Sequence, residues 1–228
     1  MSQLNTARGE LALPIFDIRR NANQHGGSGY EKRRRQIVES ARTCFERSSV
    51  EETAIVDITR EAGIVRELFY YYFPDKESLR LAVAELYAED ALARVRDWCA
   101  EQHDCDWNDS SQIDHALASG IARMRAFAFT PNGKRGTMSY VLGSQYSHAD
   151  FYHKLFFEIW HLYGDEPALK GLYSVFSTHT TLDTPLDLIE FIMFGLQGYI
   201  EDNPSISDET LARILLKMLS HNEASDSV

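Results

Sequence analysis

A chain of 228 residues, 44% hydrophobic and 25% charged, can bury one large or two modest cores and is not disordered as a whole. No apolar run reaches the roughly 18–20 residues of a membrane span, and the start MSQLNTARGELALPIF lacks the features of a signal peptide, so a cytoplasmic protein with no membrane partner is expected. The net charge of −11 argues, taken alone, against nucleic acid, and Cys44, Cys99 and Cys105 cannot all pair, which argues against a disulfide framework.

The charge is unevenly placed. Residues 1–79 hold 12 Lys and Arg against 12 Asp and Glu, whereas residues 80–228 hold 11 against 22. Arg8, Arg19, Arg20 and the run Lys32-Arg33-Arg34-Arg35 load the first part with cations. Such asymmetry marks either a nucleic-acid-binding end on an acidic body or a solvated basic face.

In chain order, residues 1–29 read as a flexible extension, with a polar, Gly-rich stretch from Asn21 to Gly29. From Tyr30 the apolar spacing becomes helical: Ile37, Ala41, Cys44 and Phe45 share a face, which makes Cys44 a packed thiol. Ser48-Ser49 ends this helix. Thr53 is the expected N-cap of a second helix over Ala54 to Ala62, and Gly63 its left-handed stop. A third helix is expected from Val65 to Phe73. Pro74-Asp75 ends it, and Asp75 caps a long fourth helix through Leu79, Val83, Tyr87, Ala91, Arg94 and Trp98. That helix would be roughly 35 Å long.

The polar stretch from Gln102 to Ser111 closes it. Further helices are expected at about 113–129, 138–145, 149–163 and 168–176. Thr184-Pro185 opens a helix to Ile200, Asn203-Pro204 makes a turn, and Ser207 caps a last helix. No segment alternates as a strand does. The fold class is all-α: an N-terminal three-helix helix-turn-helix domain followed by a C-terminal helical bundle domain. The expected organisation is a flexible extension (1–29), a helix-turn-helix domain (30–76), a second helical domain (77–222) and a disordered tail (223–228).

Helix, glycine and helix make only a weak signal by themselves, though the glycine allows the sharp turn and Ile64 fills the angle. The longer string is more specific. Ile58-Thr59-Arg60-Glu61-Ala62-Gly63-Ile64 followed by Phe69-Tyr70-Tyr71-Tyr72-Phe73-Pro74-Asp75-Lys76-Glu77-Ser78-Leu79 closely resembles the TetR family of bacterial transcriptional regulators, and Arg35, Ile37, Ala41 and Phe45 match its first helix. The resemblance covers about residues 34–80. It implies that Thr53 and Ala54, where the second helix starts, meet phosphate. It implies that Arg66, Tyr70 and Tyr72 lie on the recognition helix, and that Lys76 contacts phosphate. Phe69 and Phe73 look like core anchors. Lys32 and Arg35 belong to a helix that crosses the DNA backbone in this fold, and Arg19 and Arg20 sit on an arm able to enter a minor groove. The string departs from the family at Val65, Glu67 and Leu68 on the recognition helix, and at Ser49, which stands for a common glycine. Glu67 would face DNA, where a carboxylate accepts from cytosine N4 and is repelled by phosphate.

The helix from Leu186 to Ile200 is apolar around most of its circumference and so must be buried on more than one side. With the last helix it forms the expected homodimer surface, through Ile189, Ile192, Met193, Leu196, Ile200, Leu211, Leu215 and Met218. A dimer places two recognition helices a whole number of DNA turns apart, hence a pseudo-palindromic operator in double-stranded DNA. The aromatic-rich stretch between Phe127 and Tyr163 is the expected effector site, with Phe127, Tyr140, Phe156 and Trp160 as its contacts.

Cys99 and His103 are one helical turn apart, near Asp104, Cys105 and Asp106, and His148, Asp150 and His153 form a second set. Both spacings are weak as metal signals. No nucleotide-binding or hydrolase motif is present, so neither catalytic residues nor a cofactor or metal are expected. The resulting expectation is a ligand-responsive transcriptional repressor, dimeric, and released from its operator by a small apolar or aromatic molecule. The alternative is a helical small-molecule- or metal-binding protein with a degenerate reading head.

Overall fold

The computed structural model describes residues 28–128, 155, 158–159, 161–178 and 185–220, of which 127–128, 178, 185–190 and 219–220 are described by backbone alone. The described elements are helices: α1 Ser28–Glu52, α2 Ile55–Glu61, α3 Arg66–Tyr72, α4 Lys76–Glu101, α5 Ser110–Ala128, α6 Pro167–Thr178, α7 Pro185–Asp202 and α8 Asp208–Ser220. Among the described residues there is no strand, as the all-α reading requires. The expected extension, the tail and the helix at 138–145 lie outside the described residues, as does most of that at 149–163. By packing, the chain divides into two compact units between Tyr87 and Ala88, inside α4. The sequence reading begins the second domain earlier, with α4 itself.

The first unit is built on α1, which buries Ile37, Val38, Ala41, Cys44 and Phe45. α2 packs on α1, and α3 packs on α2. Phe69 and Phe73 are fully buried, so the anchors of the short α3 hold it against its neighbours. The turn between α2 and α3 is fixed by backbone geometry. Gly63 has φ +63°, its amide donates to Arg60 O at 3.2 Å, and the Ile64 amide donates to Thr59 O at 2.9 Å. That pair of bonds satisfies the last carbonyls of α2 and requires the left-handed residue.

Ser49 adopts φ 67°, ψ 162° at a kink in α1. This region is nearly restricted to glycine and costs other residues about 1–3 kcal/mol. The two positions make a matched test. Gly63→Ala has open space around its new Cβ, so its expected loss of about 1 kcal/mol is purely conformational. Ser49→Gly relieves strain but gives up the Glu52 amide bond to Ser49 Oγ (3.3 Å), so a gain of about 1 kcal/mol is expected. Urea unfolding of both variants reads the opposite signs.

A correction concerns the second helix. Thr53 is not its N-cap; that residue is Ala54 (φ −87°, ψ 153°). The Thr53 hydroxyl is buried and donates back to Ser49 O at 2.6 Å, closing the end of α1. α2 is served instead by Asp57, whose carboxylate accepts from the Ala54 amide at 3.2 Å. The later caps follow expectation. Asp75 Oδ1 accepts from the Ser78 amide at 2.7 Å at the head of α4, and Ser207 Oγ accepts from the Thr210 amide at 3.2 Å at the head of α8. The Ser78 amide and hydroxyl hold the Asp75 carboxyl below its usual range.

In the second unit α5 packs against α7 and α8. Leu117, Ile121, Phe176, Ile192, Ile200, Leu211 and Leu215 form one core cluster. Arg125 locks it from the rim, pairing with Asp208 (2.7 Å) and donating to Ile206 O (2.7 Å) and Pro204 O (3.2 Å). Trp98, Cys99, Ala116, Ala168 and Leu169 form a neighbouring cluster. Trp107 lies so near α6 that a Cβ on Gly171 would fall 2.1 Å from its ring, which explains a glycine inside that helix.

Candidate functional site

The first unit presents an exposed face on α3. Val65, the N-cap, is 65% exposed and makes no capping bond through its side chain. Arg66 and Glu67 are exposed, as is Tyr70. The Arg66 guanidinium carbon lies 5.6 Å from the Tyr70 ring centre, and its Nη2 donates to the Tyr70 hydroxyl at 3.3 Å. The pair forms a braced cationic and aromatic projection. Tyr70 is itself held edge-on to the buried Phe69, with centroids 5.3 Å apart.

The three consecutive tyrosines divide their roles. Tyr70 and Tyr71 are exposed, at 43% and 63%. Tyr72 is half-buried, with its ring 4.8 Å from that of Tyr30 on α1. Tyr72 therefore ties α3 to α1, and Tyr71 is an exposed aromatic that the sequence reading left out. Two exposed valines, Val56 and Val65, were left out too. An exposed apolar side chain on a reading surface suits the methyl group of thymine.

The expected phosphate contacts separate in the same way. Lys32 is exposed on the first turns of α1. Arg35 is exposed and pairs with Glu39 at 3.2 Å. Arg34 lies over the Phe73 ring at 5.1 Å. Ala54 is exposed at the head of α2, whereas the Thr53 side chain is buried. Lys76 is turned inward: its Nζ donates to Val50 O at 2.8 Å and to Thr53 O at 3.2 Å. Its main attachment is thus to the end of α1. Arg19 and Arg20 lie outside the described residues.

The second unit holds a partly open cavity of about 220 Å³. Its wall includes Ala91, Val95 and Trp98 from α4, Leu117, Gly120 and Ile121 from α5, and Leu172 and Phe176 from α6, with Leu196 and Gln197 from α7. Trp98 is buried and donates from Nε1 to Ala116 O at 3.0 Å. Tyr163 and Tyr173 stand edge to face in the wall, 5.4 Å apart. Of the expected ligand contacts, Tyr140, Phe156 and Trp160 lie outside the described residues, and Phe127 is described by its backbone alone. The cavity's described wall is mostly aliphatic and was not legible as a pattern, because its residues come from separate helices.

The expected dimer residues fall largely on the inward side. Ile192, Ile200, Leu211 and Leu215 belong to the unit's own core, and Met193 and Leu196 line the cavity. Met218 is 65% exposed. The side chain of Ile189 is outside the described residues. The apolar groups that do face outward are Phe191 (71%), Tyr199 (48%) and Ile214 (41%). Phe191, Gly195, Gly198 and Tyr199 follow the spacing of one helix face, and both glycines have open space at their Cβ positions.

The weak metal set around Cys99 does not converge. Cys99 is buried in the core, where burial pushes its thiol up to about 11, and the His103 side chain is 68% exposed. Among the described residues no group of three or more such side chains is placed to hold a metal ion. His148, Asp150 and His153 lie outside the described residues.

Comparison with known proteins agrees with the first unit's geometry. The family model for bacterial regulatory proteins of the tetR family matches residues 37–83. The uncharacterised HTH-type transcriptional regulator YfiR of Bacillus subtilis (strain 168) is 31% identical over 91 residues, which are 40% of this chain and 43% of that protein. The HTH-type transcriptional repressor AcnR of Corynebacterium diphtheriae is 34% identical over 84 residues, 33% of this chain and 44% of that protein. The chain thus matches less than half the length of these relatives. Among solved structures, a TetR-family transcriptional regulator from Pectobacterium atrosepticum has a TM-score of 0.52 at 18% identity, with 86% of this chain and 92% of that one covered. A protein from Mesorhizobium loti assigned to the same family has a TM-score of 0.54 at 16% identity, covering 85% and 96%. These last two likenesses are of fold. With the left-handed Gly63 turn and the buried Phe69 and Phe73, the segment 37–83 matches the tetR family of bacterial regulatory proteins.

Proposed function

We propose that the protein is a ligand-responsive transcriptional repressor that binds a pseudo-palindromic operator as a dimer and leaves it when a small apolar molecule fills the cavity. The observation that carries the reading is the Arg66–Tyr70 pair, exposed on a short helix that two buried phenylalanines hold rigid. An arginine braced by a neighbouring ring keeps its fork in one orientation, which suits bidentate contact with guanine O6 and N7. Lys32 and the head of α2 at Ala54 are the nearest candidates for phosphate contact. The repressor assignment is supported by the name of the AcnR relative. No helix among the described residues is long and apolar enough to cross a membrane, which fits a cytoplasmic DNA-binding role.

The test is titration of the full chain with DNA from upstream of its own gene, over a range of salt. Affinity falls steeply with salt because phosphate contacts release counterions. Arg66→Ala is expected to weaken specific binding by about 10- to 100-fold, corresponding to the roughly 1–3 kcal/mol of one bidentate base contact. Tyr70→Phe retains the ring brace and loses less. If no fragment shifts at low salt, the regulator reading falls.

The dimer surface we assign to the outward face of α7 and α8, at Phe191, Tyr199, Ile214 and Met218. Exposed large apolar groups in a row mark an association surface. Phe191→Asp is expected to convert the particle from twice 26.0 kDa to 26.0 kDa, read by light scattering, with its helical content retained. A 26.0 kDa wild-type particle would remove the paired-operator argument.

A further inference from the structure

Val65 is a residue whose packing does not explain it. Its backbone is extended (φ −83°, ψ 156°), and its carbonyl accepts from the amides of Leu68 at 3.1 Å and Phe69 at 3.3 Å, so it stands as the N-cap of α3. That position favours serine, threonine, aspartate or asparagine, whose side-chain oxygen receives an amide, and valine is among the poorest choices. The Val65 side chain supplies no such bond, and it is 65% exposed. It neither caps the helix nor joins the core. Both costs fall on a helix of only seven residues.

Its neighbours indicate the compensation. Arg66 follows directly and is braced on Tyr70, and Glu67 beside it is exposed. When a helix of this kind lies in the major groove, its first residues are the ones that reach base edges. Those edges present acceptors and amino groups, and their apolar projection is the C5 methyl of thymine. An isopropyl group set against a polar edge strips water from it and returns no hydrogen bond. Set against the methyl, it takes apolar surface of both groups out of water. The other exposed apolar side chains of the first unit lie elsewhere. Tyr71 is at the far end of α3, edge-on to Tyr30 (6.0 Å) and Tyr72 (5.1 Å), and Val56 is on α2.

We infer that Val65 is a specificity-determining residue that reads a thymine methyl in each half of the operator. Adjacent Cα atoms are about 3.8 Å apart and base pairs about 3.4 Å, so this thymine lies within about two base pairs of the guanine met by Arg66. The inference rests on the proposed DNA-binding role and deepens it by naming a base in each half-site.

The test uses the full chain and a pool of random-sequence duplexes, from which the bound sequence is selected and then edited one base at a time. Deoxyuridine in place of thymine removes only the methyl group, and 7-deazaguanine in place of guanine removes N7. One thymine in each half-site is expected to lose about fourfold in affinity on that change, the value of one buried methyl group. It lies within about two base pairs of the guanine whose N7 matters to the wild type and not to Arg66→Ala. In Val65→Ser the preference for thymine over deoxyuridine falls to about one. Serine is a good N-cap, so this variant melts no lower than the wild type, and a role confined to holding α3 would leave the preference intact. If no thymine is worth about twofold, if the preference survives in Val65→Ser, or if the sensitive thymine is more distant from that guanine, the assignment is overturned and the DNA-binding reading stands. A pool that yields no enriched sequence overturns both.

Discussion

Replacing Lys76 with methionine is expected to lower the unfolding free energy by about 3 kcal/mol and, on the proposed function, to leave the salt dependence of DNA binding unchanged. The resemblance to TetR regulators implies a phosphate contact at this position, and the structure gives the ammonium other work. Its two donors to Val50 O and Thr53 O close the carboxyl end of α1 from the first residue of α4. Both carbonyls belong to buried residues. Methionine keeps the stem and removes the charge, so two desolvated acceptors lose a charge-assisted partner at once. Charge-assisted bonds contribute about 1.5–3 kcal/mol each, which sets the magnitude. A lysine that neutralised a phosphate would instead lower the salt slope by about one, with little change in stability. Urea unfolding together with DNA titration at several salt concentrations separates the two roles.

Trp98→Ala is expected to cost about 4 kcal/mol, in the range for truncating a large core aromatic. Trp98 is 6% exposed, its Nε1 bonds to Ala116 O, and its ring meets Gly120 across α5. The substitution removes the second donor to a helix carbonyl and joins a ring-sized void to the existing cavity. With total stabilities near 5–15 kcal/mol, a loss of that size brings the second unit close to its limit at physiological temperature. Trp98→Phe keeps most of the packing and loses the bond, so it should recover more than half of the difference. Thermal melts followed by circular dichroism distinguish the three proteins, and a drop below 1 kcal/mol for the alanine variant would show that Trp98 is peripheral.

How legible each feature was depended on whether its cause is local. The α2–α3 turn was readable because a single glycine permits the conformation that joins those helices. Phe69 and Phe73 were readable as anchors through the resemblance of their string to the TetR family, and both are buried. Ser207 and Asp75 were readable as caps because each bonds to an amide three residues on. Thr53 failed for a related reason: a threonine before a helix is also a residue after one, and its hydroxyl bonds backward to Ser49 rather than forward. The bonds of Lys76 to Val50 O and Thr53 O were not legible because these partners lie far back in the chain.

The outward face of α7 shows a different limit. α7 is apolar around most of its circumference, so periodicity could not separate Ile192, which faces the core, from Phe191, which faces outward. Spacing is informative only where polar residues mark one side. The cavity was illegible for a third reason. Its wall draws residues from several helices.

The clamp made by Arg125 has a consequence for how the chain is made. Contacts that complete the first unit span short stretches: Gln36 to Ala62 and Lys76 to Val50 are each 26 residues apart, and Tyr87 to Glu46 is 41. Arg125 and Asp208 are 83 residues apart. Domains emerge from synthesis amino end first and fold as units, and short-range contacts close faster than long-range ones. The first unit is therefore complete while the second still waits for its last helix. A chain released before α8 carries a finished first unit with neither the clamp nor α8's half of the outward face.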